Sequence, residues 1–194
     1  TMMTRFFTCI AAASLMALVS TAAFAADPEN ILVISLKDGD VTIALRPDLA
    51  PKHVEQIKAL TRKGAYDNVV FHRVIDGFMA QTGDVQFGNS AKDFNPAQAG
   101  MGGSDLPDIK AEFSQEPFVR GTVGMARAQS PDSANSQFFI TFGDASFLNG
   151  QYTVVGNVES GMELVDKIKR GDEAQNGVVA DPDKMVKVKI AADK

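Results

Sequence analysis

Two β-branched runs, Ile31–Leu36 and Val41–Leu45, flank the turn sequence Lys37-Asp38-Gly39-Asp40. Asp-Gly tolerates the positive φ angles that a tight hairpin demands, so the two runs are expected to pair antiparallel. The same grammar of short apolar strands divided by turn residues recurs at 69–75, 78–82, 122–126, 137–142, 152–158 and 185–190. One helix fits between the second and third runs. Pro51 suits its first turn, Val54, Ile57 and Leu60, or alternatively Ala50, Val54 and Ile57, share a face, and Gly64 follows the basic end Arg62-Lys63. A second, shorter helix fits Gly161 to Lys169. Eight strands and two helices predict a mainly β fold, an eight-stranded closed antiparallel β-barrel capped by two α-helices. The segment from Gly83 to Ile109 is rich in Gly, Asn, Asp and Pro; a loop of that length is usually functional or wraps the surface.

The first 25 residues follow a different pattern. Arg5 precedes the apolar stretch Ile10–Val19, and Ala23-Phe24-Ala25 closes the segment. That is the form of a secretory signal peptide, with cleavage expected between Ala25 and Ala26. Residues 26–194 are then expected to form a single domain of 169 residues carrying 18 basic and 24 acidic side chains. No basic cluster marks a nucleic-acid partner, and no membrane association is expected after cleavage. The one cysteine, Cys9, lies inside the leader, which excludes thiol chemistry from the mature chain. Two histidines, His53 and His72, are too few for an imidazole metal site, so metal catalysis is not expected. Gly100-Met-Gly-Gly103 lacks the Lys-Ser/Thr of a phosphate loop, and no G-x-S-x-G elbow occurs.

Polar residues inside apolar strands carry the remaining signal. Period-two alternation across Val69–Ile75 puts Arg73 on the face of Val69, Phe71 and Ile75, where a charge needs a groove or partner. In Ser136–Thr141, Gln137 and Phe139 share one face and Phe138 and Ile140 the other. One face reads as core and the other as a site; an arginine paired at a barrel rim and a glutamine bonded to backbone would be the purely structural reading.

Phe71-His-Arg-Val-Ile-Asp-Gly-Phe-Met-Ala-Gln81 with Gly83-Asp84, Met125-Ala-Arg-Ala128, Asn135-Ser-Gln-Phe-Phe-Ile140 and Phe147-Leu-Asn-Gly150 follow one another in an order that resembles the signature blocks of the cyclophilin family of peptidyl-prolyl cis-trans isomerases. The resemblance spans roughly residues 30 to 190, and Tyr66 and Gly161-Met162 fit it too. It implies that Arg73 is the catalytic arginine and that Gln81 orients peptide and arginine. Phe78, Met79, Phe139 and Leu148 would form the proline pocket, with Ala126, Arg127, Ala128 and Gln137 lining the groove for the preceding residues. Phe147 stands where many members have Trp, Tyr152 where many have His, and Arg127 where Asn is frequent. Phe147 and Tyr152 are counted among the substrate-binding residues, and cyclosporin is expected to bind weakly because Phe147 lacks the indole donor. The implied partners are proline-containing segments of exported proteins, with a monomer acting in the periplasm. A holding module that grips proline-containing segments without turnover is the competing reading, and Arg73 argues against it, since apolar holding has little use for a guanidinium.

Overall fold

The computed structural model describes residues 27–92 and 94–193. The leader and its cleavage point lie outside the described residues. The strands are β1 (Ile31–Leu36), β2 (Gly39–Leu45), β3 (Arg73–Ile75), β4 (Met79–Thr82), β5 (Thr122–Met125), β6 (Phe138–Thr141), β7 (Val154–Ser160) and β8 (Lys187–Ile190), with helices α1 (Pro51–Arg62) and α2 (Met162–Val165). All eight strands belong to one antiparallel sheet in the order β3-β4-β6-β5-β7-β2-β1-β8. The first hairpin forms as expected, although its turn is Lys37-Asp38 and Gly39, at φ 146°, already pairs with Leu36.

The sheet curls into a half-barrel whose ladder stays open, which corrects the closed barrel expected from the strand count. Its edges are β3 and β8. The segments leading into those edges are joined only by single bonds: Asn68 N to Met185 O (2.7 Å), Met185 N to Val69 O (2.9 Å), Phe71 N to Asp183 O (2.8 Å) and Val179 N to His72 O (3.1 Å). A continuous ladder fails there because Pro182 has no N–H to donate and both Asn68 (φ 62°) and Asp181 (φ 52°) turn out of the extended conformation.

That irregularity also corrects the face assigned to Arg73. Val69, Phe71 and Val74 all enter the main core, together with Leu32, Ile43, Phe138 and Ile140. The alternation therefore changes parity between Phe71 and Arg73, where the chain is in no ladder. Arg73 and Ile75 project from the other side of β3, away from Val69 and Phe71.

Helix α1 closes the inner side of the half-barrel with Val54, Ile57 and Leu60. No side chain of its own caps its start; the Glu112 carboxylate accepts from the N–H groups of Lys52 (3.2 Å) and His53 (3.1 Å) instead. Helix α2 is a single turn, shorter than the expected Gly161–Lys169. Beyond it the backbone tightens to i→i+3 bonds, Lys167 N to Leu164 O and Ile168 N to Val165 O. Arg170 Nη1 captures the carbonyls of Asp166 (2.8 Å) and Ile168 (2.7 Å), and Gly171 N turns to Val74 O. These bonds satisfy the chain end without a further helical turn.

Candidate active site

The outer side of β3, β4, β5 and β6 carries a second apolar cluster, separate from the core: Met79, Phe118, Phe139, Ala145, Leu148 and Val154, with Phe78, Ala126 and Tyr152 packed against it. Neighbouring residues of β6 thus face different environments, Phe138 and Ile140 the core and Phe139 this cluster. Phe139 stacks on Phe118 (centroids 5.7 Å apart, 21° between planes) and meets Tyr152 edge-on (5.8 Å, 84°). The stack requires Gly124, which pairs with Phe139 across β5 and β6. A Cβ there would stand 2.6 Å from both rings, so the glycine marks close approach rather than a turn.

A groove runs over this cluster. Its apolar stretch is lined by Arg73, Phe78, Met79, Gln81, Ala126, Arg127, Phe139, Phe147, Leu148, Gln151 and Tyr152. An adjoining polar stretch adds Ala128, Gln137, Asn135 and the Gly100–Ser104 segment. Every site residue expected from the sequence lines one stretch or the other. Phe147, in the short 3-10 turn Ser146–Leu148, is 63% exposed at the rim, with its ring 5.2 Å from that of Phe78.

Above the aromatic floor a directional hydrogen-bond chain runs from β3 through β4 to Gln137, the residue before β6. Arg73 and Gln81 are directly opposed in the β3–β4 ladder, and Gln81 is opposed to Phe139 in the β4–β6 ladder. Arg73 Nη1 donates to Gln81 Oε1 (3.2 Å), Gln81 Nε2 donates to Gln137 Oε1 (3.0 Å), and Gln137 Nε2 donates to the carbonyls of Gly100 (2.9 Å) and Gly102 (2.7 Å). A guanidinium can only donate and a carbonyl can only accept, so both amide orientations are dictated from the two ends.

Asp84, fully buried, holds the far end of that chain. Its carboxylate accepts from the N–H groups of Gln86, Phe87, Gly100 and Gly102 at 2.7–3.1 Å. The long Gly83–Ile109 loop is thereby folded so that its carbonyls meet Gln137. The N–H groups of Gly100 and Gly102 are engaged by Asp84, which leaves that glycine run no phosphate cradle.

Asn176, which no sequence motif singles out, holds Arg73 from the other side. Its carbonyl accepts from Arg73 Nε and its Oδ1 from Arg73 Nη2, both at 3.0 Å. Asn176 sits at φ 56° before Gly177 at φ 81°, so the Asn-Gly pair was a turn signal in the sequence; its contact across 103 residues was not. Three of the five guanidinium donors are thus held, and two have no partner within the described residues. Arg73 is half-buried and, among the described residues, has no carboxylate within ion-pair distance. Burial lowers its pKa, with Tyr152 opposing; a guanidinium stays charged regardless.

His72, next to Arg73, is buried with neither ring nitrogen hydrogen-bonded, and burial pushes its pKa down to about 4. It is neutral at pH 7 and lies under the Gly100 backbone, where a Cβ would be 3.0 Å from the ring. His53 is spatially unrelated to the site: its Nδ1 bonds Glu112 Oε2 at 2.6 Å beneath α1.

Residues 31–190 match the family described as cyclophilin type peptidyl-prolyl cis-trans isomerase/CLD. The chain is 66% identical over 188 residues to a probable peptidyl-prolyl cis-trans isomerase of Brucella suis, with 95% of each chain covered. It is 36% identical over 153 residues to peptidyl-prolyl cis-trans isomerase A of Dickeya dadantii, covering 76% of this chain and 75% of that one. Among solved structures, cyclophilin AquaCyp293 from Hirschia baltica superposes with a TM-score of 0.72 at 26% identity, covering 87% of this chain and 76% of the other. A cyclophilin type isomerase from Cryptosporidium parvum, solved in the presence of the dipeptide Ala-Pro, gives 0.69 at 27% identity, covering 82% and 98%. Matched from its first strand to its last, the chain belongs to the cyclophilin-type peptidyl-prolyl cis-trans isomerases.

Proposed function

We propose that this isomerase accelerates Xaa-Pro rotation in exported proteins as they fold, by stripping water from the prolyl amide and stabilising its twisted transition state with Arg73. Amide rotation faces a barrier of about 18–20 kcal/mol because resonance is lost midway, and an uncatalysed prolyl bond takes tens of seconds or longer. The twisted amide has less charge separation and a more basic nitrogen than the planar one. An apolar pocket of Phe78, Met79, Phe139 and Leu148 therefore favours it, and a guanidinium donor aimed at the nitrogen or carbonyl strengthens as resonance is lost. A contact worth about 1.5–3 kcal/mol raises the rate roughly 10- to 100-fold. No bond breaks, and the proposed chemistry needs no cofactor.

The observation that carries this reading is Arg73 itself, a half-buried cation held by Gln81 and Asn176 rather than neutralised, at the edge of an aromatic pocket. Export rests on the sequence of residues 1–25 and leads us to place the mature protein in the periplasm; that it acts there as a monomer is a separate part of the proposal. Cyclosporin binding should be weak, since the rim ring of Phe147 offers area but no donor. The test is the refolding of a disulfide-free protein whose slow phase is limited by prolyl isomerisation. The mature protein should shorten that phase catalytically, and a slow phase unaffected by it would refute the proposal.

A further inference from the structure

We propose that Arg127 makes the groove select proline peptides carrying a carboxylate side chain near the proline, a reading that rests on the isomerase function proposed above. Six arginines lie among the described residues. Four are paired with carboxylates: Arg46 with Asp48 (2.8 Å), Arg62 with Glu29 (2.9 Å) and Asp193 (3.0 Å), Arg120 with Asp166 (2.6 Å) and Arg170 with Asp76 (2.8 Å). The two without such a pair are Arg73 and Arg127, and both line the same groove. In a chain of net charge −5 the arginines without a counter-ion are thus concentrated at one place.

Arg127 is also fixed there. Its guanidinium donates to the carbonyls of Gln151 (3.2 and 2.9 Å), Ala128 (3.0 Å) and Gln129 (3.1 Å), and it lies 4.5 Å from the centre of the Tyr152 ring. These acceptors are neutral, so they hold the group in position and leave its charge uncompensated. Arg127 borders both the apolar and the polar stretch of the groove. Among the residues lining the two, the single carboxylate is Asp108, which accepts from Asn135 Nδ2 at 2.9 Å. Arg73 directs its held donors to Gln81 and Asn176, whereas Arg127 stands at the junction of the two stretches, beside the pocket of Phe78, Met79, Phe139 and Leu148 proposed for the proline. An acidic side chain there meets a fixed cation, and a basic one meets repulsion.

The experiment compares kcat/KM, by NMR exchange at low salt, for two peptide series, Ala-Xaa-Pro-Phe and Xaa-Ala-Pro-Phe, with Xaa as Glu, Gln or Lys. In at least one series Glu should exceed Lys by roughly fivefold or more, the scale of a partly exposed attraction for Glu set against repulsion for Lys. The ratio should shrink as salt is raised, collapse towards one in Arg127→Gln, and survive in Arg127→Lys. Equal turnover of Glu and Lys peptides by the parent protein, or a ratio kept by Arg127→Gln, would overturn the assignment while leaving the isomerase reading standing. Absence of turnover on every peptide would overturn both. Should Arg127→Gln fail to fold, the salt dependence of the parent's ratio decides.

Discussion

The two sides of β6 are made from the same stretch of chain and obey opposite rules. On the inner side, the hydroxyls of Tyr66 and Thr82, buried with Phe138 and Ile140, are satisfied: Tyr66 donates to Ser136 O at 2.8 Å and Thr82 to Val70 O at 2.9 Å. On the outer side, where Phe139 and Gln137 face the groove, the structure tolerates an arginine without a counter-ion, and behind that arginine, in a neighbouring cavity, a buried histidine without a hydrogen bond. Buried polar groups left unpaired cost stability. Unpaired neutral atoms occur elsewhere too, at His53 Nε2 and Thr61 Oγ1 of α1, so it is the two arginines without a carboxylate partner, Arg73 and Arg127, both at the groove, that separate the part of the molecule that holds the fold from the part proposed to act on a ligand.

Truncation of each phenylalanine in turn is the strongest way to break this contrast. Phe138→Ala should cost about 3–5 kcal/mol, as a fully buried ring removed from a core does. Phe139→Ala should cost less in stability, because its ring walls an open groove, and more in the affinity for proline peptides. Urea unfolding with peptide titration measures both; equal stability losses with untouched binding would show that the faces are misassigned.

The histidine sharpens the contrast through pH. His72 titrates near 6.5 when unfolded and about 4 when folded, so between those values the unfolded chain binds more protons and stability falls as pH falls. The full loss is on the order of 3 kcal/mol and is complete only below pH 4. His53 is lowered by burial as well, with Glu112 opposing, and adds in the same direction. Unfolding free energies between about pH 7 and 4.5 should fall less steeply in His72→Leu than in the parent, and parallel curves would remove His72 as a contributor.

Asn176 gives the smallest effect. Loss of one side-chain hydrogen bond to Arg73, about 0.5–1.5 kcal/mol, should lower kcat roughly two- to tenfold in Asn176→Ala with KM little changed. The same change should add nothing in an Arg73→Ala background. An equal loss in both backgrounds would mean that Asn176 acts independently of the arginine.

Much of this arrangement was legible in the chain. The strand pattern located all eight strands, and the Gln-Phe-Phe-Ile alternation of residues 137–140 separated core from groove because β6 is a regular strand paired on both sides. The motif blocks brought Arg73, Gln81 and the aromatic pocket together. What stayed hidden depends on partners distant in sequence. The parity change before Arg73 arises where residues 68–72 meet 178–185 by single bonds, and period-two reasoning assumes an unbroken strand. The open edge of the sheet has the same origin. The holding of Arg73 by Asn176 and the neutral cage around Arg127 are likewise tertiary contacts, and no local pattern encodes them.

The central claim is that Arg73 is left uncompensated in order to stabilise a twisted prolyl amide. It is tested most directly by prolyl exchange NMR on a neutral Ala-Pro peptide with Arg73→Ala, whose fold is checked by near-UV circular dichroism. A folded variant should lose at least about tenfold in kcat/KM, as expected when one charge-assisted hydrogen bond is removed from the transition state. A folded variant with the parent's kcat/KM would contradict the account.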